Sequence, residues 1–223
     1  MLDVLGRGTR AFFRYGAILL LVNAWGGMAM AETAPVRILA LGDSLTAGWG
    51  LPAEESFPVR LEQALMADGC DVRVIAAGVS GDTSAGGRAR LDWALGDRPD
   101  AAIVELGGND ALRGIDPDQT YANLDDILTR LERAKTPVLL AGMEAPPNYG
   151  RDYAARFRRV YSGLAARHPV IFYPFFLDGV AANPVLNQGD GIHPNARGVE
   201  VIVGRMLPAV KELVRRARAG DGR

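Results

Sequence analysis

The sequence contains few of the residues that build disulfide frameworks and zinc sites. Among its 223 residues there is one cysteine, Cys70, and there are two histidines, His168 and His193. A lone cysteine excludes an internal disulfide, and two distant histidines without a cysteine cluster argue against a zinc centre. We therefore expect no metal ion, and we interpret Cys70 as a structural thiol between a predicted helix and a predicted strand.

The sequence also lacks an excess of charge of either sign. Its formal net charge is −1, and charged residues make up 23% of the chain. Because nucleic-acid-binding domains carry a strongly basic face, this balance predicts no nucleic-acid partner. The hydrophobic content of 48% is that of an ordinary globular protein and is sufficient for a buried core.

Long hydrophobic runs are absent, and the N-terminus carries only a short one. Three arginines precede the apolar stretch 17–22, and small residues follow as far as Ala31. This order is typical of a cleaved secretory signal, and the stretch is far shorter than the roughly 20 residues of a membrane-spanning helix. We predict a signal peptide over 1–31 and a periplasmic or secreted protein without stable membrane insertion. The alternative is an uncleaved membrane anchor.

The rest of the chain alternates short apolar runs with longer amphipathic segments. The apolar runs predict strands at 36–41, 72–77, 101–106, 138–142 and 170–173. The amphipathic segments predict helices at 57–67, 83–95, 117–135, 153–166 and 196–216. Buried strands that alternate with helices indicate a parallel sheet covered on both faces. We predict one α/β domain over 32–215, a three-layer α/β/α sandwich with five parallel strands, followed by a flexible tail over 216–223.

Four short polar motifs lie where these strands end or just before the last helix. They are GDSL at 42–45, a glycine at 78, GGND at 107–110 and DGIHP at 190–194. Doubly wound sheets bind ligands at the carboxyl ends of their strands, so we expect these motifs to share one site. Together they supply a serine, a histidine, an aspartate and candidate oxyanion donors, a set that suits acyl transfer.

Ser44 and His193 are the candidate nucleophile and base. A serine at a strand-to-helix turn is equally typical of a helix N-cap, so Ser44 alone leaves two interpretations. Asp190 can reach Nδ1 of His193 and hold the tautomer whose Nε2 faces the serine. The alternative is a surface loop in which Asp190 makes an Asx turn. His168 ends a predicted helix, and we assign it no catalytic role.

Four neighbouring positions have candidate roles around the serine. Asn109 and Gly78 are candidate oxyanion donors through a side-chain amide and a backbone N–H, with ordinary turn chemistry as the alternative. Asp43 is predicted to brace the serine loop by accepting backbone N–H bonds. Asp110 has two possible roles, which are to orient Asn109 or to cap the segment that follows.

The four motifs resemble those of the SGNH (GDSL) hydrolase family, whose namesake residues would be Ser44, Gly78, Asn109 and His193. They are most similar to a bacterial group of multifunctional thioesterases, lysophospholipases and arylesterases. The resemblance implies a flavodoxin-like fold, no cofactor, and a triad in which Asp190 completes Ser44 and His193. It also implies an oxyanion hole made of the Ser44 and Gly78 N–H groups and the Asn109 side chain.

The same resemblance implies a periplasmic enzyme that hydrolyses acyl esters and thioesters. It implies that the loop after Asn109 and the loop at 146–151 line an acyl groove. Five residues near these loops and the serine are predicted to contact substrate: Asp43, Leu112, Ile115, Pro147 and Tyr149.

The predicted function is that of a monomeric serine esterase that acts on small-molecule fatty-acyl esters and thioesters through an acyl-enzyme. One alternative is a carbohydrate or peptidoglycan O-acetylesterase, which would need only a short acyl pocket. The other is a catalytically silent ligand-binding protein on the same scaffold, which would be expected to lack a triad residue.

Overall fold

A computed structural model describes residues 34–220 of the chain. The predicted signal peptide at 1–31 lies outside this range, so it stays a prediction, together with the location that depends on it. Among the described residues, no helix combines the length and the apolar character that a membrane crossing requires.

Five strands form one parallel sheet within residues 34–220. They are β1 (Val36–Gly42), β2 (Val72–Gly78), β3 (Ala101–Glu105), β4 (Val138–Ala141) and β5 (Ile171–Tyr173). Their order in the sheet is β2-β1-β3-β4-β5, and all neighbouring strands are parallel. This order is that of flavodoxin-like folds, and it confirms the predicted α/β class.

The helices pack in two groups. Their bounds are α1 (Ser44–Ala47), α2 (Phe57–Ala67), α3 (Ser84–Ala89), α4 (Leu91–Leu95), α5 (Gly108–Leu112), α6 (Pro117–Arg133), α7 (Gly150–Arg167) and α8 (Ala196–Gly220), with single 3₁₀ turns at Ala53–Glu55 and Pro147–Tyr149. Helix α2 packs on α8, while α6 packs on α3 and α7. Every residue of β3 is buried, as expected for a central strand between two helical layers.

The register of the sheet brings the chemical motifs to one edge. Gly42 at the end of β1 pairs with Gly78 at the end of β2 and with Glu105 at the end of β3. Because these strands are parallel, the segments that follow them all begin at the carboxyl edge of the sheet. The chain crosses from one side of β1 to the other between β2 and β3, which makes this edge a topological switch point.

The prediction of one continuous helix over 83–95 is wrong. The structure has two short helices, α3 and α4, which meet at Arg90 with backbone angles φ −100° and ψ 5°. The side chain of Arg90 turns back to the sheet and donates to the carbonyl oxygens of Ala77 and Gly42. These distant acceptors favour a break that local sequence does not indicate.

Three further segments differ from the sequence predictions. The helix predicted at 153–166 begins three residues earlier, as α7 at Gly150. The GGND segment and the residues after it were expected to be loop, but helix α5 covers Gly108–Leu112. The predicted tail is helical as far as Gly220, because Ala217 is buried and the side chains of Arg216 and Arg218 donate to the carbonyls of Pro169 and Asp71.

Candidate active site

Ser44 is the first residue of α1, directly after the carboxyl end of β1. Asp43, rather than Ser44, provides the N-cap, because its Oδ1 accepts from the N–H of Leu45 at 3.0 Å. The predicted bracing role of Asp43 is therefore confirmed, and the N-cap interpretation of Ser44 is wrong. The Ser44 hydroxyl instead lies 2.9 Å from Nε2 of His193.

The Asp190 carboxylate binds both the imidazole ring and the backbone N–H of His193. Asp190 Oδ2 lies 2.6 Å from Nδ1 of the imidazole, while Oδ1 accepts from the N–H groups of Ile192 and His193 at 2.9 and 3.0 Å. The Asx turn and the imidazole contact, considered above as alternatives, therefore occur together. These bonds, above all the one from the His193 ring, lower the pKa of Asp190 to about 2. Because the ionised carboxylate only accepts, it binds a proton on Nδ1, and in the neutral imidazole of that tautomer the Nε2 lone pair faces Ser44.

Gln188 ties the His193 loop to the loop after the serine, a role that sequence reasoning missed. Its backbone N–H donates to His193 O at 2.8 Å, and its Nε2 donates to Trp49 O at 2.6 Å and to Pro194 O at 3.0 Å. The Trp49 ring lies 6.2 Å from the imidazole, measured between centroids. No local signal identifies Gln188, because Trp49 and the glutamine are far apart in sequence.

The Asn109 amide lies beside the serine turn, and its nitrogen donates two hydrogen bonds. Its Nδ2 donates to Asp43 Oδ2 and to the carbonyl oxygen of Asp82, both at 2.9 Å. Two acceptors fix the orientation of the amide and place its N–H groups near Ser44. A substrate oxygen that binds there must share or displace one of these acceptors.

Gly78 closes the same corner from β2. A Cβ atom at this position would collide with the backbone of Ala47 and would lie 2.9 Å from the carbonyl oxygen of Asp43. Only a glycine allows the end of β2 to approach the serine turn so closely. The structure therefore brings Ser44, Gly78 and Asn109 to one corner of the sheet edge.

Glu105 is a buried carboxyl beneath this corner, and it too was missed from the sequence. Its Oε2 accepts from Thr46 Oγ1 at 2.6 Å and from the N–H of Asp43 at 3.3 Å. Burial raises the pKa of Glu105 well above its ordinary value, and the nearby Asp43 carboxylate raises it further. Burial also raises the pKa of Asp43, to about 6, against the opposing bonds from Leu45 and Asn109. The available signal was a single charged residue in the apolar run 101–106.

Asp110 has neither of its two predicted roles. Its carboxylate accepts from the N–H and hydroxyl of Ser84 at 2.7 and 2.5 Å and from Thr120 Oγ1 at 3.1 Å. It therefore joins α5 to α3 and α6, which explains why the GGND segment is helical. The contacts that select this conformation come from residues 10 and 26 positions away.

A largely apolar cavity of about 510 Å³ opens beside Ser44, Asn109 and His193. Its apolar wall includes Ala145 and Pro146, where the loop predicted to line an acyl groove begins, and Ile192 of the DGIHP motif. The apolar wall residues that sequence reasoning missed follow β4 and β5: Met143, Phe175, Leu177, Ala181 and Ala182. These five residues form no motif, because an apolar wall can be built from many sequences.

Three of the five predicted substrate contacts line this cavity: Asp43, Leu112 and Pro147. Within the described part of the chain, Ile115 and Tyr149 are not among the lining residues. The Tyr149 hydroxyl donates to Leu112 O at 2.9 Å, and Ile115 O accepts from the Tyr153 hydroxyl at 2.8 Å. Both residues therefore join the loop after α5 to the start of α7.

Known proteins resemble this chain in both sequence and fold. Residues 40–201 match the model of the GDSL-like Lipase/Acylhydrolase family. Esterase TesA of Pseudomonas aeruginosa is 39% identical over 184 residues, which cover 82% of this chain and 92% of that protein. Thioesterase 1/protease 1/lysophospholipase L1 of Escherichia coli K12 is 39% identical over 178 residues, 79% of this chain and 84% of that protein.

A solved esterase structure is similar to this chain in both fold and sequence. The crystal structure of AlinE4, an SGNH-hydrolase family esterase, matches with a TM-score of 0.69 and 49% identity, covering 80% of this chain and 96% of that chain. The motifs, the sheet order and these similarities lead to one conclusion: the chain belongs to the GDSL-like lipase/acylhydrolase family and is a carboxylic ester hydrolase.

Proposed function

We propose that the enzyme is a serine esterase that cleaves fatty-acyl esters and thioesters through an acyl-enzyme on Ser44. The observation that carries the proposal is a chain of two hydrogen bonds beside an apolar cavity. It runs from Asp190 Oδ2 to His193 at 2.6 Å, and from His193 to Ser44 Oγ at 2.9 Å. A serine hydroxyl becomes a useful nucleophile when an oriented base faces it in this way.

In the acylation step, Ser44 Oγ attacks the acyl carbonyl carbon while His193 Nε2 takes the hydroxyl proton. Asp190 keeps the ring oriented and stabilises the imidazolium that forms. When the tetrahedral intermediate collapses, the bond to the leaving oxygen or sulfur breaks, and His193 returns the proton to that atom. A water molecule then attacks the acyl-enzyme by the same route and releases the carboxylic acid and free Ser44.

The negative oxygen of the intermediate is bound by the N–H groups of Ser44 and Gly78 and by the Asn109 amide. Ser44 begins a helix, so its N–H has no acceptor within that helix. Gly78 and Asn109 converge on the same corner from β2 and α5. Donors held in place before the reaction stabilise developing charge with little reorganisation, which for Asn109 is limited to sharing or exchanging one of its two acceptors.

The cavity supports an extended acyl group as the preferred substrate. Its volume of about 510 Å³ and its wall of Met, Phe, Leu, Ile, Ala and Pro side chains suit an alkyl chain. An acetyl group would leave most of this apolar surface uncovered, which weighs against the O-acetylesterase alternative. The relatives named as an esterase and as a thioesterase support both ester and thioester cleavage.

The decisive experiment is hydrolysis of p-nitrophenyl esters from acetyl to palmitoyl by the purified protein and by Ser44→Ala. We expect the substitution to lower turnover by about 10³-fold or more. Ser162→Ala is the matched control, because this serine is exposed on α7 and bonds only the carbonyl of Arg159 in the described structure. Ser44-dependent turnover that peaks at medium or long chains supports the proposal.

Other results of the ester assay would contradict the proposal. Ser44-dependent turnover confined to acetyl esters would support an O-acetylesterase, and full turnover by Ser44→Ala would remove the serine from its role. Location and oligomeric state are part of the same proposal: export through a cleaved segment 1–31, and a monomer. N-terminal sequencing of the exported protein and its mass in solution test these two points.

A further inference from the structure

Arg90 connects the ends of two strands at the site without facing the substrate. Its Nε donates to Asp82 Oδ2 at 2.6 Å, its Nη1 to Ala77 O at 2.9 Å and its Nη2 to Gly42 O at 2.8 Å. Only 18% of the side chain is exposed. Within the described residues, Arg90 is not among those that line the cavity of about 510 Å³.

The carbonyl oxygen of Ala77, which accepts from Arg90, belongs to the same peptide unit as the N–H of Gly78. A peptide unit is planar and trans, so a bond that anchors its carbonyl also fixes the direction of its N–H. A charged donor on the carbonyl also polarises the unit and strengthens the N–H as a donor. Gly42 O is bound in the same way on the peptide that leads into Asp43, so the guanidinium holds both strand ends together.

Asp82 extends this connection to the third candidate donor. Its carboxylate binds Arg90, while its backbone carbonyl accepts from Asn109 Nδ2 at 2.9 Å. A Cβ atom at Gly86 would lie 2.5 Å from Asp82 Oδ1, so the glycine leaves room for this carboxylate. Arg90 and Asp82 thus hold the Gly78 peptide directly and the Asn109 amide indirectly.

We propose that Arg90, held by Asp82, is a positioning residue of the oxyanion hole, which orients and polarises the Gly78 N–H and keeps the Asn109 amide in register with it. The inference rests on the proposed function, because it assumes that these groups bind an oxyanion. The proposed role of Arg90 differs from a purely structural one in its kinetic effect. Removing the guanidinium should weaken binding of the transition state, rather than only substrate binding or folding.

Three variants test the role of Arg90. Arg90→Met removes the guanidinium and retains an unbranched side chain, and Arg90→Lys retains the charge but not the planar group that bonds three acceptors. Arg130→Met is the matched control. Arg130 is 22% exposed, forms an ion pair with Asp92 and donates to a backbone carbonyl, that of Arg88, away from the cavity.

The kinetic measurement is kcat and KM for a p-nitrophenyl ester, well below the unfolding temperature of every variant. We expect Arg90→Met to lower kcat by about 10²-fold, near the effect of losing one oxyanion donor, with KM changed only a few-fold. Arg90→Lys should fall between Arg90→Met and wild type. Arg130→Met should lower the unfolding temperature by an amount similar to Arg90→Met and leave kcat near wild type.

A second readout reports on the oxyanion hole itself. An alkylboronic acid binds as the Ser44 oxygen adds to boron and the hydroxyl proton passes to His193, which gives a tetrahedral anion like the intermediate. Its inhibition constant should rise in parallel with the loss of kcat/KM across wild type, Arg90→Lys and Arg90→Met. A purely structural role would lower stability without this correlation.

The outcomes separate the two proposals. If turnover does not depend on Ser44, the proposed function fails, and this inference fails with it. Turnover that depends on Ser44, together with a wild-type kcat and boronate affinity in Arg90→Met, would overturn this inference alone. Arg130→Met is expected to retain both quantities in either case. If Arg90→Met does not fold, Arg90→Lys and Asp82→Asn provide the same test, because each weakens the grip on the Gly78 peptide while retaining a polar side chain.

Discussion

The two edges of the sheet each hold a histidine beside carboxylates and a cavity, but only one edge has the arrangement of a catalytic base. At the carboxyl edge, His193 has Asp190 on one ring nitrogen and the Ser44 hydroxyl on the other. At the amino edge, His168 lies next to a smaller cavity of about 310 Å³ between the starts of β4 and β5. Its Nε2 lies 2.9 Å from Asp125 and its Nδ1 3.3 Å from Glu132.

A histidine–carboxylate pair is therefore not by itself a signature of catalysis. A general base needs one ring nitrogen oriented by a carboxylate and the other directed at the proton it removes. Both nitrogens of His168 face carboxylate oxygens, and its side chain is only 5% exposed. His168 therefore joins α7 to α6, while His193, on a loop that Gln188 holds, faces a hydroxyl and an open cavity.

Replacing the two histidines separately gives the largest expected contrast. His193→Ala should lower kcat/KM by about 10³-fold or more, because a triad without its base loses most of its rate enhancement. His168→Ala should retain kcat per folded molecule but lower the free energy of unfolding by about 1–3 kcal/mol, because buried charge-assisted hydrogen bonds are lost. Ester kinetics and urea unfolding of both variants measure the contrast. Equal losses of kcat would show that the two histidines are not separated in function.

Removing the Asn109 amide should have the next largest effect at the carboxyl edge. Asn109→Ala should lower kcat by about 10²- to 10³-fold, the usual cost of losing a side-chain oxyanion donor. Asn123→Ala is the control, since this asparagine on α6 donates to Ser84 Oγ and is not among the cavity-lining residues of the described chain. Steady-state kinetics of both variants measure this effect. An unchanged kcat in Asn109→Ala would show that the amide is not part of the oxyanion hole.

The two edges also differ in how they hold carboxyl groups, and here the expected effect is smaller. Glu105 is buried with a raised pKa, whereas Asp125 and Glu132 pair with His168. An unfolded glutamate ionises near pH 4.3, so above that pH the unfolded state loses a proton that folded Glu105 keeps. The folded state therefore loses stability as pH rises towards the folded pKa, by at most about 1.4 kcal/mol per pH unit.

Glu105→Gln tests this pH dependence of stability. Glutamine does not titrate, and its carbonyl can still accept from Thr46 and from the N–H of Asp43. We expect its unfolding free energy relative to wild type to increase with pH from about pH 4 upwards, as measured by urea unfolding at several pH values. Glu105→Ala should show the same trend but lower kcat, because the serine turn loses an acceptor. A difference that does not vary with pH would mean that Glu105 is ionised in the folded protein.

Much of the fold could be predicted because apolar periodicity and local stop signals act over short distances. The predicted bounds of α2 are those of the structure, and each of the five predicted strands is present within one or two residues of its expected ends. The predictions failed where a distant group selects the backbone. Arg90 divides a predicted helix because its acceptors lie at the ends of β1 and β2, and α5 forms because Asp110 binds Ser84 and Thr120.

The candidate site divides in the same way. Ser44, Gly78, Asn109, Asp190 and His193 could be selected from sequence, because each belongs to a short motif next to a predicted strand or helix. Glu105 and Gln188 could not, because their importance lies in contacts with residues far away in the chain. Ile115 and Tyr149 were expected at the cavity because they lie in the expected loops, but the side on which a loop residue faces depends on what packs behind it.

The class of fold, the edge of the sheet that carries the chemistry and the residue types available there follow from the amino-acid sequence, because strand periodicity and parallel order bring these motifs to one edge. Contacts between distant residues establish which histidine faces a serine, which one lies between two carboxylates, and which apolar residues form the cavity wall. The bonds by which Arg90 and Asp82 hold the candidate oxyanion donors are of the same kind. Hydrogen bonds and cavities depend on distances of about 3 Å between atoms that come together only when the chain is folded, so short motifs do not reveal them.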